Sequence, residues 1–276
     1  MTPRIDSTRQ SWNIATRNHN AHKGDQAAFF RAGGETLFPE EIELLGDLRG
    51  AHLLHVQCNA GQDTLSLARR GAVATGVDIS DAAIDFARDL SNETGIAARF
   101  IESEIVTWLH ATEERFDIAF ASYGVLGWNE DLHTWAAGVH RVLAPGGRLV
   151  ILEFHPVAWS VGKSGALDGD DYFATAPFTE PVGDYVAQSG AGLLAVTDGP
   201  TEENRTPAYS WQHGLGATVD ALARASLRIE RLVEYPHSNG CRLSPALIPG
   251  ENRRYVWPPG TARLPLMFGL IARRDR

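Results

Sequence analysis

Short apolar runs alternate with amphipathic segments along the middle of the chain. Five runs have the length and composition of buried strands, at 52–57, 73–78, 98–101, 116–121 and 148–154. Helical spacing of apolar residues marks the segments between them, at 62–70, 81–90 and 132–143. This alternation predicts a doubly wound α/β fold, in which helices cover both faces of a mostly parallel sheet.

The alternation resumes near the C-terminus, with a helix at 217–225 and strands at 228–235 and 264–272. No helix separates these last two strands, and a parallel pair needs a long crossover connection. We therefore expect an antiparallel partner at the sheet edge, in a seven-stranded sheet whose last strand is reversed.

Two further segments differ in composition from the alternating core. Residues 1–36 are polar and aromatic, and they predict an N-terminal helical cap on a domain that covers 37–276. Residues from about 157 to 207 are rich in Gly, Pro, Asp and Ser, with interspersed aromatic residues. Loops of this length are usually lids or binding elements, so we expect an insertion that covers the site.

Composition narrows the class of protein. The formal net charge of −9 argues against nucleic acid as the main partner, because phosphate binding needs a basic surface. We find no run apolar enough to span a bilayer and no secretory leader, so we expect a cytoplasmic protein with no membrane partner. Cys58 and Cys241 are too few for a disulfide framework, and the histidine spacing is poor for a metal site.

The most informative stretch runs from residue 52 to 80, where a strand, a small-residue turn, a helix and a second strand follow one another. Gly61 in the turn allows close approach of a ligand, although a tight turn alone also calls for glycine. Asp78 ends the second strand, where a carboxylate can accept hydrogen bonds from ribose hydroxyls. Gln57, Asn59 and Gln62 suit a ligand tail with an amine and a carboxylate better than a pyrophosphate.

Five sequence runs together resemble the class I S-adenosylmethionine-dependent methyltransferases. They are HVQCNAG (55–61), GVDIS (76–80), FIESE (100–104), FDIA (116–119) and LAPGG (143–147). The resemblance covers about 40–155, with 205–273 as supporting architecture, and the Q-C-x-x-G-Q-D turn is similar to a bacterial small-molecule subgroup. His55 departs from the family pattern, since it stands where an acid is usual.

The resemblance implies S-adenosylmethionine as cofactor and a set of residues around it. Asp78 would bind the ribose, Ile79 would pack on the adenine, and Glu104 would accept from the adenine amino group. Each has a plainer alternative, as a helix-capping acid, a core residue and a surface acid respectively. The full set of expected contacts is Gln57, Cys58, Gly61, Gln62, Asp63, Asp78, Ile79, Glu104, Ile105 and Ser122.

Acceptor pockets of this architecture lie at the carboxyl ends of strands four and five. His155 is our first choice for a general base, since its free pKa lies near neutrality, although a strand-end histidine also satisfies backbone groups. The other candidate catalytic residues are Tyr123, Glu153 and His213. The candidate acceptor pocket consists of Trp12, His22, Tyr123, Trp128, Tyr209 and Trp211.

Methyl transfer by in-line displacement to a small aromatic molecule is the function that these features favour. The resemblance extends weakly to indole C3-methyltransferases of bacterial secondary metabolism, so the expected acceptor is an indole-like natural product. A non-aromatic N or O acceptor, a nicotinamide-dependent oxidoreductase and a non-catalytic binding module stay open as alternatives. The sequence leaves open whether the protein is a monomer or a homodimer.

Overall fold

The computed structural model describes residues 2–162, 165–186 and 201–276. Its strands in chain order are β1 His52–Val56, β2 Val73–Asp78, β3 Arg99–Glu102, β4 Phe116–Ser122, β5 Leu143–Phe154, β6 Phe178–Glu180, β7 Ala208–Ser210, β8 Leu227–Tyr235, β9 His237–Asn239, β10 Ile248–Pro249, β11 Arg254–Val256 and β12 Met267–Arg274. Its helices are α1 Pro3–Ala21, α2 Gln26–Arg31, α3 Pro39–Leu45, α4 Gln62–Arg69, α5 Asp81–Thr94, α6 Ile105–Ala111, α7 Leu132–Val142 and α8 Leu215–Arg224.

A seven-stranded sheet with the order β3-β2-β1-β4-β5-β12-β8 forms the centre of the molecule. Strands β1 to β5 are parallel, and β12 is antiparallel to both β5 and β8. The predicted sheet of seven strands with a reversed last strand is therefore confirmed. The last strand, β12, lies inside the sheet between β5 and β8, and β8 forms the edge.

Helices cover both faces of this sheet, as the alternating pattern predicted. Leu54 and Val56 of β1 pack on one face with residues of α6 and α7. Leu53, on the same strand, packs on the opposite face with Leu44 of α3 and Leu67 of α4. Successive side chains of a strand point to opposite faces, so a strand buried on both faces reads as a continuous apolar run.

Helix α1 packs against α5 and β7 and contacts the insertion. The Ser11 hydroxyl accepts a hydrogen bond from the Val182 amide at 3.0 Å, and the Asn18 carbonyl oxygen Oδ1 accepts from the Glu202 amide at 2.9 Å. Strands β6 and β7 form an antiparallel pair on the same side. Part of the predicted insertion, at 163–164 and 187–200, lies outside the described residues.

A second small sheet, with the order β10-β11-β9, follows the edge strand. It fills the Pro-rich connection between β8 and β12, which the sequence left unassigned. Through this connection, Ser238 and Asn239 are buried beside the loops at the carboxyl end of the main sheet. Within the described residues, no helix is long and apolar enough to cross a bilayer.

Candidate functional site

A cavity of about 1120 Å³ opens at the carboxyl ends of β1, β2, β4 and β5. Its walls come from the turn after β1, the end of β2 and the loop after β4, and α1 and the insertion contribute on the other side. Pockets for one small molecule usually occupy about 300–1,000 Å³. The volume therefore leaves room for a cofactor and a second ligand.

The turn after β1 is built from left-handed residues. Gln57, Asn59 and Gly61 have φ angles of 54°, 48° and 77°. Asparagine adopts this region with less penalty than most residues, which explains how Asn59 replaces a glycine. The Asn59 side chain also accepts from the Ala60 amide at 2.6 Å, so it stabilises its own turn.

Asp78 joins this turn to the next helix through its carboxylate. Oδ2 accepts from the Asn59 amide at 2.8 Å, and Oδ1 accepts from the Ser80 amide at 2.9 Å. Burial raises the pKa of Asp78, and these backbone amides oppose that rise. The side chain lines the cavity, and each oxygen keeps a lone pair for a further donor.

Gly61 does not line the cavity, although it was expected to contact the cofactor. A Cβ at this position would lie 2.6 Å from Ala87 Cβ and 2.7 Å from Phe100 Cε1. The glycine therefore lets α4 start close against α5 and β3. Of the two interpretations of this residue, the structure supports the tight turn.

The amide side chains of the turn bind neighbouring elements of the chain. Gln62 Nε2 donates to Asn20 Oδ1 at 3.1 Å and to Gln26 Oε1 at 2.7 Å, which ties the N-terminal segment to α4. Gln57 Nε2 donates to the Val125 carbonyl at 3.4 Å, on the loop after β4. Both glutamines line the cavity, as do Cys58 and Asp63.

Lys23 also lines the cavity, and the sequence did not single it out as a cofactor-binding residue. Burial lowers the pKa of its ammonium to about 8, against the opposing effects of Asp63 and Asp184. Its ammonium forms no hydrogen bond within the described part of the chain. A partly desolvated cation facing a cavity is suited to an anionic ligand group.

The expected adenine-binding residues lie together at one side of the cavity. Ile79 and Ile105 contribute apolar surface to its wall, and Ile105 is buried. Glu104 is the N-cap of α6, where Oε1 accepts from the Val106 amide at 2.8 Å and Oε2 from the Thr107 amide at 2.7 Å. Capping accounts for most of its acceptor capacity, and the residue also lines the cavity.

His55, which replaces the usual acid, is buried at the bottom of the cavity. Its Nδ1 lies 2.8 Å from Thr64 Oγ1, and its Nε2 lies 3.4 Å from Ser122 Oγ. Burial lowers the pKa of His55 to about 4, so the ring is neutral at neutral pH. Ser122 lines the cavity beside it.

Tyr123 directly follows β4 and Glu153 lies near the end of β5, and both line the cavity. Glu153 is buried, and its carboxylate accepts from the backbone amides of Gly124, Leu126 and Phe154. Burial raises the pKa of Glu153, and the amide donors oppose that rise. The carboxylate therefore fixes the loop that carries Tyr123 and Trp128.

His213 lines the cavity, and the hydrogen bond of one ring nitrogen fixes the tautomer of its ring. Its Nε2 lies 2.7 Å from the carbonyl oxygen of Asn129. A carbonyl oxygen only accepts, so Nε2 carries the proton and the lone pair is on Nδ1. Burial lowers the pKa of His213, which keeps Nδ1 unprotonated near neutral pH.

His155 and His22 do not line the cavity, contrary to the roles expected for them. His155 Nδ1 accepts from the Val157 amide at 3.2 Å, and its Nε2 lies 3.0 Å from Glu234 Oε1. It therefore satisfies backbone at the strand end, which is the plainer alternative. His22 Nδ1 lies 3.1 Å from Asp184 Oδ2, so this side chain joins the cap to the insertion.

Aromatic side chains line the part of the cavity that we call the acceptor end. The rings of Trp12 and Trp128 meet edge to face at 5.3 Å between centroids. Tyr209 and Trp211 line the same region, and Arg4 lies over the Tyr209 ring at 5.4 Å. The structure thus brings together five of the six expected pocket residues: Trp12, Tyr123, Trp128, Tyr209 and Trp211.

Comparison with known proteins gives this site a family context. Residues 53–147 match the family described as a methyltransferase domain. The chain is 29% identical over 162 residues to a ubiquinone biosynthesis O-methyltransferase of Alkalilimnicola ehrlichii, which covers 54% of this chain and 62% of that protein. It is 32% identical over 117 residues to a demethylmenaquinone methyltransferase of Thermus thermophilus, which covers 42% and 52% respectively. The chain thus spans only part of the length of these curated relatives.

Solved structures show the same fold. One is an S-adenosylmethionine-dependent methyltransferase of Mesorhizobium loti, with a TM-score of 0.55 and 20% identity. The match covers 86% of this chain and 96% of that one. At this identity, the likeness establishes the architecture and leaves the acceptor to the geometry of the site.

Proposed function

We propose that this chain is a class I S-adenosylmethionine-dependent methyltransferase that methylates a small aromatic acceptor, on the basis of its methyltransferase-domain match at 53–147 and its fold. One observation carries the proposal. The cavity of about 1120 Å³ joins a strand-end carboxylate, Asp78, to a slot walled by Trp12, Trp128 and Trp211. A cofactor and a planar acceptor would occupy these two ends.

The residues present fit the proposed cofactor. Asp78 keeps one lone pair on each oxygen, which suits the two ribose hydroxyls. Ile79 and Ile105 offer apolar surface for the adenine, beside the capping carboxylate of Glu104. Lys23 offers a positive charge to the carboxylate of the methionine tail.

Nicotinamide chemistry is less favoured by the same turn. A dinucleotide places its pyrophosphate against bare backbone amides at a helix start. Here Asp63 lies in the first turn of α4, and Gln57 and Gln62 border the cavity beside it. A carboxylate and two amide side chains suit an amino-acid tail better than a pyrophosphate.

S-adenosylmethionine supplies a methyl group already activated on a sulfonium, so the protein mainly aligns the acceptor. Correct alignment of reacting groups contributes several kcal/mol, up to about 7–11 kcal/mol. Glu153 fixes the loop after β4, and this loop positions Tyr123 and Trp128 around the acceptor. His213 Nδ1 would take the proton from an acceptor that must lose one.

The acceptor class follows from the walls of the slot. Stacked and edge-on aromatic contacts favour a planar ring system. An indole-like natural product of bacterial secondary metabolism fits such a slot. The ring systems of quinone biosynthesis, which the names of the two curated relatives specify, offer a second set of aromatic probes.

A product screen tests the proposal directly. The protein is incubated with S-adenosylmethionine carrying a deuterated methyl, together with indoles, catechols, hydroquinones and a metabolite extract. Mass spectrometry then detects any product that gains the labelled methyl. Asp78→Asn serves as the control, because it keeps the side-chain shape and removes one acceptor oxygen. If no aromatic probe gains the labelled methyl, although the protein is folded and binds the cofactor, the aromatic assignment is refuted.

A further inference from the structure

The hydroxyl of Tyr123 receives a hydrogen bond from outside the methyltransferase core. Asn239, at the end of β9, donates from Nδ2 to this hydroxyl at 3.1 Å. Both side chains line the cavity, and Asn239 is buried. The small second sheet therefore contributes a hydrogen bond to the acceptor end of the site.

The amide of Asn239 is held in one orientation. Its Nδ2 also donates to Glu40 Oε2 at 3.2 Å, and its Oδ1 accepts from Arg254 Nε at 3.3 Å. A flipped amide would turn its oxygen toward a carboxylate and its NH₂ toward a guanidinium. Both contacts would then be repulsive, so Nδ2 must face Tyr123.

Glu40 is itself held as an anion. Its Oε1 lies 3.0 Å from His237 Nε2 and also accepts from Arg254. Burial acts to raise the pKa of Glu40, but the bonds from His237 and Asn239 and the charge of Arg254 outweigh it and lower the pKa to about 2. The carboxylate is thus an obligate acceptor, which fixes the polarity of the whole chain of bonds.

The consequence falls on Tyr123. Its hydroxyl accepts from Asn239, so the phenolic proton must point elsewhere. Burial raises the pKa of this phenol well above its usual value, so the proton stays on the oxygen at neutral pH. No acceptor among the described residues takes that proton. The ring has little freedom, because Phe38 and Phe154 pack against it at 6.2 and 5.4 Å between centroids.

We propose that Asn239 is a positioning residue that makes Tyr123 a fixed hydrogen-bond donor into the cavity, for an acceptor substrate bearing a phenolate or carbonyl oxygen. This assignment rests on the proposed function and narrows its substrate class. An indole without oxygen would leave the Tyr123 proton unpaired. An oxygenated ring would accept it at the end of the slot walled by Trp128.

The test compares two probes that differ in the oxygen. 4-Nitrophenol and nitrobenzene are each titrated into the protein saturated with S-adenosylhomocysteine. The pH is held above the pKa of 4-nitrophenol, so that its anion dominates. Tryptophan fluorescence reports binding. Calorimetry of S-adenosylhomocysteine alone reports on the proposed function separately, so failure of cofactor binding is distinguishable from failure of this inference.

Four variants separate positioning from structure. Asn239→Asp turns the donor into an acceptor that takes the Tyr123 proton, and Tyr123→Phe removes that proton. Asn239→Asp combined with Glu40→Gln relieves the new carboxylate repulsion, in case the single variant does not fold. Tyr235→Phe is the matched control, because its buried hydroxyl has no partner in the described chain and lies outside the cavity.

We expect the wild type and Tyr235→Phe to bind nitrophenolate about ten- to a hundredfold more tightly than nitrobenzene. Asn239→Asp, alone or with Glu40→Gln, and Tyr123→Phe should lose that preference while S-adenosylhomocysteine affinity holds. In the Tyr123→Phe background, Asn239→Asp should have no further effect. The assignment would be overturned if Asn239→Asp still bound nitrophenolate more tightly than nitrobenzene. It would also be overturned if the wild type bound the two probes equally well.

Discussion

Replacing Gly61 with alanine tests whether the glycine of the turn after β1 serves packing or the ligand. The new Cβ would lie 2.6 Å from Ala87 Cβ and 2.7 Å from Phe100 Cε1, at a φ of +77°. The left-handed backbone costs about 1–2 kcal/mol for a residue with a Cβ. Crowding in a packed core typically adds about 1–3 kcal/mol. We therefore expect Gly61→Ala to lower the free energy of unfolding by about 2–5 kcal/mol.

Gly95 provides the matched control for this change. It has a similar φ of +71°, and a Cβ there would meet nothing within 4 Å. Gly95→Ala should therefore cost only the backbone term, about 1–2 kcal/mol. Urea unfolding of both variants gives the two free energies under the same conditions. Equal losses in the two variants would refute the packing explanation, because crowding would then contribute nothing.

Three further changes probe the site. Turnover of the wild type should rise with pH through the pKa of His213, which burial places below the ordinary histidine value. His213→Gln should abolish that rise, and a pH profile that matches the wild type would contradict the base assignment. Lys23→Met should remove a gain in the free energy of unfolding from pH 8 to 10, since the folded lysine releases its proton near 8 while the unfolded one releases it near 10.5; denaturant unfolding across this range measures it, and a gain that persists would exclude Lys23. Glu153→Gln should cost about 2–3 kcal/mol, because an amide side chain cannot accept from both loop amides and the Phe154 amide together; unchanged thermal unfolding would show that the carboxylate does not hold the loop.

The order of elements was predictable because each strand is a continuous apolar run bounded by turn residues. Strand β2 matches its predicted limits, and the reversed last strand followed from the missing crossover helix. The position of β12 inside the sheet was not predictable, since pairing on its second edge depends on long-range packing. The small β9–β11 sheet was also missed, because its strands are two or three residues long.

The site was predictable where a side chain's direction follows from a strand end. Asp78 and Ser122 lie at such ends and line the cavity. His155 lies only one residue beyond β5, and its ring turns to cap the next turn and meet Glu234. Its sequence position could not reveal that rotamer. Lys23 was overlooked as a ligand group because nothing in a polar N-terminal segment indicates which side chain will be buried.

The central claim is that this cavity binds S-adenosylmethionine through the Asp78 carboxylate. Isothermal titration of the cofactor into the wild type and into Asp78→Asn tests it most directly. We predict saturable binding by the wild type and a loss of about 1–3 kcal/mol of binding free energy in the variant, because one ribose bond and the turn restraint weaken together. Absence of binding to the folded wild type, or equal affinity in the two proteins, would contradict the account.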